Sequence, residues 1–145
     1  MRYSLPILSV LLLFVACISS KSADEKNDET TPLNLSDHYT IVLINDQNVE
    51  NNGLTMNFDK VTNNVSGNAG CNNYFGSFQQ ENKSILFSKV SATKKYCANP
   101  EIREIENQLL TLLANIKTME NDKSGIINLY DEQSKWVMSI KKLID

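Results

Sequence analysis

Histidine is almost missing from this chain. His38 is the one instance in 145 residues, alongside three cysteines. A metal centre usually draws three or four ligands, so neither a metal nor another cofactor is expected here. No paired-histidine motif and no serine-centred triad appears, and general acid–base catalysis requires positioned titratable groups. An excess of one charge is missing too: Lys plus Arg is 14 and Asp plus Glu is 17, for a net −3. Nucleic-acid-binding domains are usually strongly basic, so no nucleic-acid partner is expected. No apolar run reaches the roughly 20 residues a spanning helix needs. No period of solenoid or propeller length recurs. What is present, 41% hydrophobic and 21% charged residues, fits one globular domain rather than a disordered or multi-span chain.

The N-terminal residues read as an address. Arg2 precedes an uncharged run from Leu5 to Ala16, the pattern of a secretory signal. The run ends Phe14-Val15-Ala16-Cys17. This resembles the bacterial lipobox, which implies cleavage before Cys17 and lipidation of that cysteine. Two or more acyl chains give stable anchoring. Residues 1–16 are thus expected to be a lipoprotein signal peptide and residues 17–32 the lipidated Cys17 with a polar tether. That tether holds too little apolar surface to offset its ordering entropy. Ile18, rather than an aspartate, follows the cysteine, which favours the outer membrane. Asp24-Glu25 leaves both its periplasmic face and the cell surface open.

Residues 33–145 are expected to fold. Tyr39–Ile44 is β-branched and aromatic, and Leu54–Phe58 alternates apolar with polar. Val65–Gly67 follows a turn at Asn63-Asn64. Tyr74–Gln79 and Ile85–Phe87 flank a polar turn, as do Ile126–Tyr130 and Lys135–Ile140. Between these hairpins Asn99-Pro100 is a helix start. Ile102, Ile105, Leu109, Leu112, Leu113 and Ile116 recur at helical spacing, which predicts a helix over about 100–115. Glu101, Glu104 and Glu106 lie where acids complement a helix dipole. The expected class is α+β: a curved antiparallel sheet of about six strands packed on a single α-helix.

With Cys17 acylated, Cys71 and Cys97 remain. In an oxidising compartment an isolated pair is most simply a disulfide. Free buried thiols, a metal site and a catalytic thiol are the other readings. Three glycines fall within Gly67–Gly76, but a phosphate-binding loop must open a helix, and this segment runs into aromatic strand residues. The stretch Gly67-Asn68-Ala69-Gly70-Cys71-Asn72-Asn73-Tyr74 resembles the signature of the META domain, or HslJ-like, family. Thr93, Cys97 and the turn through Ala98-Asn99-Pro100 resemble its second block, with Lys95 and Tyr96 replacing a methionine and an alanine. The family signature residues are Gly67, Gly70, Cys71, Asn72 and Tyr74. The resemblance implies a curved antiparallel sheet wrapped on one helix, envelope lipoproteins, an association with stress response, and no established catalytic mechanism.

The expected function is therefore a non-enzymatic envelope lipoprotein that binds a partner protein or a small apolar ligand. A cupped sheet can hold such a ligand in its mouth, with Tyr74, Phe75, Phe78 and Tyr96 as candidate contacts. A pilot or assembly factor for an outer-membrane machine is the alternative, and an enzyme the lesser one.

Overall fold

The computed structural model describes Met1, Leu33, Leu35 and residues 37–143. The expected signal peptide, Cys17 and the tether through residue 32 lie outside the described residues, Met1 excepted. No described helix is long and apolar enough to cross a membrane.

The chain forms β1 (Asp37–Ile44), β2 (Gln47–Asn48), a 3-10 turn (Glu50–Asn52), β3 (Thr55–Asp59), β4 (Asn64–Asn68), β5 (Asn73–Glu81), β6 (Ser84–Ala92), α1 (Pro100–Leu113), β7 (Ile116–Asn121), β8 (Ile126–Asp131) and β9 (Trp136–Lys142). Asn63 and Asn82 take positive φ in the β3–β4 and β5–β6 turns, a conformation asparagine tolerates. All neighbouring strands are antiparallel, in the order β2-β1-β3-β4-β5-β6-β7-β8-β9. β1 also pairs with β9, from Tyr39 opposite Lys142 to Ile44 opposite Met138. That pairing closes the sheet. Without the two-residue β2, which hangs off β1, eight strands form a ring.

The expected open sheet of about six strands on a helix is thus overturned: the molecule is a closed antiparallel barrel, mostly sheet, with one short helix. Two physical reasons account for the difference. Ring closure removes the exposed edges of an open sheet, and its register joins residues a hundred positions apart, beyond any local pattern. In addition, Ile116 continues the apolar spacing of α1, yet it opens β7. It is buried as the first residue of that strand.

An eight-stranded barrel is just wide enough for side chains to fill. Here Phe58 sits among aromatic neighbours, edge-on to Tyr39 at 5.7 Å and to Phe78 at 4.9 Å, with Phe87 at 6.2 Å. Met56, Val65, Tyr74, Ile85, Met119, Leu129, Met138 and Ile140 belong to the same buried cluster.

The helix does not form a second layer. β1 and β6 stand opposite each other in the ring, with β3, β4 and β5 between them one way and β9, β8 and β7 the other. α1 contacts both, so it lies across one mouth. Asn99 caps it by accepting from the Glu101 and Ile102 N–H groups, with Pro100 opening the first turn. Ile105, Leu109 and Leu113 are buried in the barrel's own core. The opposite mouth is stoppered by Leu35, which is fully buried. The Gln80 side chain holds this segment, accepting from the Leu35 N–H at 3.3 Å and donating to the Leu33 carbonyl.

Candidate functional site

The helix-capped mouth carries the glycine-rich signature. Gly67 allows close approach: a Cβ there would lie 2.0 Å from the Thr55 carbonyl oxygen. The Tyr74 hydroxyl donates to that same carbonyl at 2.9 Å. Burial of Tyr74 raises its phenol pKa above the ordinary value. Gly70 has φ +123°, and a Cβ there would meet the Ile102 side chain of α1 at 2.6 Å. Only glycine suits that combination.

The following residues converge on Glu106. Its Oε2 accepts from the backbone N–H groups of Cys71 at 3.0 Å and Asn72 at 2.7 Å, and its Oε1 accepts from Asn72 Nδ2 at 2.7 Å. Asn72 Oδ1 accepts in turn from Thr93 Oγ1 and from the Lys95 N–H, both at 2.7 Å. Cys71 and Cys97 are joined by a disulfide, their Cα atoms 5.6 Å apart. Three segments distant in sequence are therefore held together: the loop before β5, the stretch after β6, and the second turn of α1. Asn72, Glu106 and Ser139 are the buried polar residues among those described. None of their buried side-chain atoms lacks a partner, as burial demands. The carboxylate spends its acceptor capacity on two backbone N–H groups and the Asn72 side-chain amide. This arrangement is a clasp.

Glu106 was legible only as a helix-start acid. The signal that could have singled it out is its place in the stripe Ile102–Ile105–Leu109–Leu113, one charge on an apolar face. A buried carboxylate requires compensating donors, and the signature loop supplies them.

The four candidate ligand contacts do not come together. Tyr74 and Phe78 are 1% and 2% exposed inside the barrel, whereas Phe75 and Tyr96 are 56% and 89% exposed outside it. Strand alternation sends Phe75 outward, next to the buried Tyr74. It joins an outer row in which His38 pairs with Asn57, Asn57 with Ser66, and Ser66 with Phe75. His38 Nδ1 lies 2.7 Å from Asn57 Oδ1. This row lines an open groove of about 980 Å³ on the outside of β1, β3, β4 and β5, which Asp59, Lys60, Val61 and Lys89 also line. A second depression, about 270 Å³, lies between β6 and the end of α1. Among the described residues no group of three or more His, Cys, Asp or Glu could hold a metal ion.

The sequence of residues 31–142 matches the META domain family model. The chain belongs to the META domain family. No curated protein matches it. The META domain here is similar in fold to an NMR structure of a protein from Burkholderia xenovorans, at 17% identity and TM-score 0.59, covering 77% of this chain and 85% of that one. A second NMR structure is similar at 19% identity and TM-score 0.57, covering 74% and 89%. A crystal structure of a DUF4847 family protein from Bacteroides vulgatus is similar at 16% identity and TM-score 0.50, covering 65% and 62%. At these identities the likeness concerns the fold.

Proposed function

We propose that this META domain is a non-catalytic binding module, lipid-anchored through Cys17 in the bacterial envelope, that engages a partner protein on the outer surface of its barrel. The observation that carries the reading is the filled interior. Phe58, packed edge-on against Tyr39 and Phe78, occupies the space in which a small apolar ligand would have to sit. Recognition then falls to the outside. The Glu106 clasp and the Cys71–Cys97 link suit a domain that must keep its shape in an oxidising compartment. The outer membrane, from Ile18 after the cysteine, and a role under envelope stress, by family resemblance, belong to the same reading.

In-cell chemical cross-linking, followed by purification of the lipidated chain, tests it. The expected result is a discrete protein adduct on a palmitate-labelled chain, with the label lost in Cys17→Ser. A stoichiometric apolar small molecule extracted from the folded domain, with no protein adduct, would overturn it.

A further inference from the structure

The barrel ring is not sealed evenly. β6 and β7 are joined by a single registered pair, Ser84 opposite Thr118, supported by the Met119 N–H donating to the Lys83 carbonyl. β7 bulges next to that pair, between Ile116 and Thr118, and among the described residues no further registered pair joins it to β6. β7 begins at Ile116, whereas β6 runs on to Ala92. Residues 87–92 therefore have a strand partner on one side only. On the other side lies the end of α1, whose Leu110 and Ala114 line the small crevice together with Phe87, Val90 and Ala92. A helix cannot supply ladder hydrogen bonds to a strand.

At both ends of this edge the main-chain groups face away from β5. The Phe78 N–H donates to Asn63, away from β6, so the Phe78–Phe87 pair exchanges no hydrogen bonds. The Thr93 N–H donates to the Asn73 carbonyl, which gives the Tyr74–Ala92 pair the same character. In such pairs the backbone N–H and C=O of each residue face the other way. Phe87 and Ala92 thus present donors and acceptors toward α1 rather than toward β5. Between them Lys89 bulges at φ +53°. It makes no ion pair among the described residues. A bulge and a lysine are devices that keep an edge from pairing indiscriminately.

We propose that this edge of β6 takes an extended segment of the partner protein, added as a short strand between β6 and α1. This rests on the binding-module reading and gives it a site and a ligand class. The unpaired backbone groups call for a peptide main chain. The crevice admits a small apolar side chain against Leu110 and Ala114. Lys89 favours an acidic residue beside it.

The test is selection of random ten-residue peptides against the full chain in detergent, with binding mapped by amide NMR. Selected peptides are expected to combine a small apolar with an acidic residue and to slow hydrogen exchange at the Phe87 and Ala92 amides. Ala92→Pro, which removes an edge donor, and Ala114→Arg, which blocks the crevice from an exposed helix end, should each weaken binding at least about tenfold. Val61→Ser, in the outer groove at the β3–β4 turn, should leave it unchanged. Far-UV circular dichroism and melting of each variant separate loss of the edge from loss of the fold. Peptides that map to the Phe75 groove and ignore both variants would overturn the proposal, as would failure to select any peptide. So would a dimer of the chain that Ala92→Pro dissolves, since the edge would then belong to a second copy. A cross-linked protein adduct in cells that survives both variants sinks the edge while leaving the binding-module reading intact.

Discussion

Asn72 is bound twice by Glu106, through its backbone N–H and through its side-chain amide, each at 2.7 Å. One carboxylate on a helix thereby fixes both the path of a glycine-rich loop and the orientation of its asparagine. The second function of that asparagine, accepting from Thr93 and Lys95, depends on the first. Hydrogen bonds to a charged group contribute about 1.5–3 kcal/mol, and an orphaned buried donor costs its full desolvation. Glu106→Ala is therefore expected to destabilise the domain by about 3 kcal/mol or more, and Glu106→Gln by less, because one oxygen remains to accept. Urea unfolding of both variants measures the difference. Equal, small losses would show that the clasp does not hold the loop.

The disulfide should add to the clasp rather than duplicate it. Cys71 and Cys97 are 26 positions apart, and closing such a loop is worth about 3.5 kcal/mol in the chain-entropy model. Reduction is expected to lower the urea midpoint by a corresponding amount while leaving the far-UV spectrum native, because Glu106 still grips the loop. Loss of the fold on reduction would mean that the sulfur link alone closes the helix-capped mouth.

Tyr74 offers a test of interior packing with a definite sign. Burial raises its phenol pKa, above an ordinary value of about 10. The stabilisation is fully present below the unfolded value and is lost as the pH climbs toward the folded one. Stability should fall above about pH 10, and Tyr74 should ionise only with unfolding, seen as a late, cooperative step in tyrosinate absorbance. Tyr74→Phe should shrink that step, leaving the part due to Tyr39, whose burial also raises its pKa, and cost about 1 kcal/mol, the worth of its bond to Thr55.

Two exposed turn carboxylates should titrate in the opposite sense. Hydrogen bonding to Thr62 lowers the pKa of Asp59, and hydrogen bonding to Ser124 lowers that of Asp122. Whatever each contributes is present above the ordinary carboxylate range and lost as the pH falls through the lowered value. NMR titration should give midpoints below about 3.9 for both. Asp59→Asn should bring no change at the barrel mouths.

Glycine positions divide by what surrounds them. Gly67→Ala drives a methyl into the Thr55 carbonyl, whereas Gly125, at φ +82°, meets open space. The first substitution is expected to prevent β4 from seating against β3 and to reduce soluble yield sharply. The second should cost about 1 kcal/mol of backbone strain. Comparable stabilities of the two variants would contradict the close approach.

The sequence carried the local elements well and the global ones poorly. Asn99-Pro100 announced the helix start, and alternation in Leu54–Phe58 announced β3, because caps and periods are local physics. Thr40 opposite Lys141 has no local signature, so ring closure stayed hidden and the barrel was read as an open sheet. Ile116 mimicked another helical turn and concealed β7. Cys71 and Cys97 stood out by scarcity. Glu106 is one of thirteen acids in residues 33–145, and only its burial sets it apart from the others. The aromatics at 74, 75 and 78 looked alike in sequence. The strand's alternation sends one of them outward and two into the core.

Native mass spectrometry of the chain extracted from membranes tests the central claim, an anchored barrel whose filled interior leaves binding to its outer wall. The expected spectrum is an acylated polypeptide beginning at Cys17, two hydrogens lighter for the Cys71–Cys97 link, with no apolar small molecule retained by the folded domain. An unacylated chain that retains Met1, or a lipid-like ligand released only on unfolding, would contradict it.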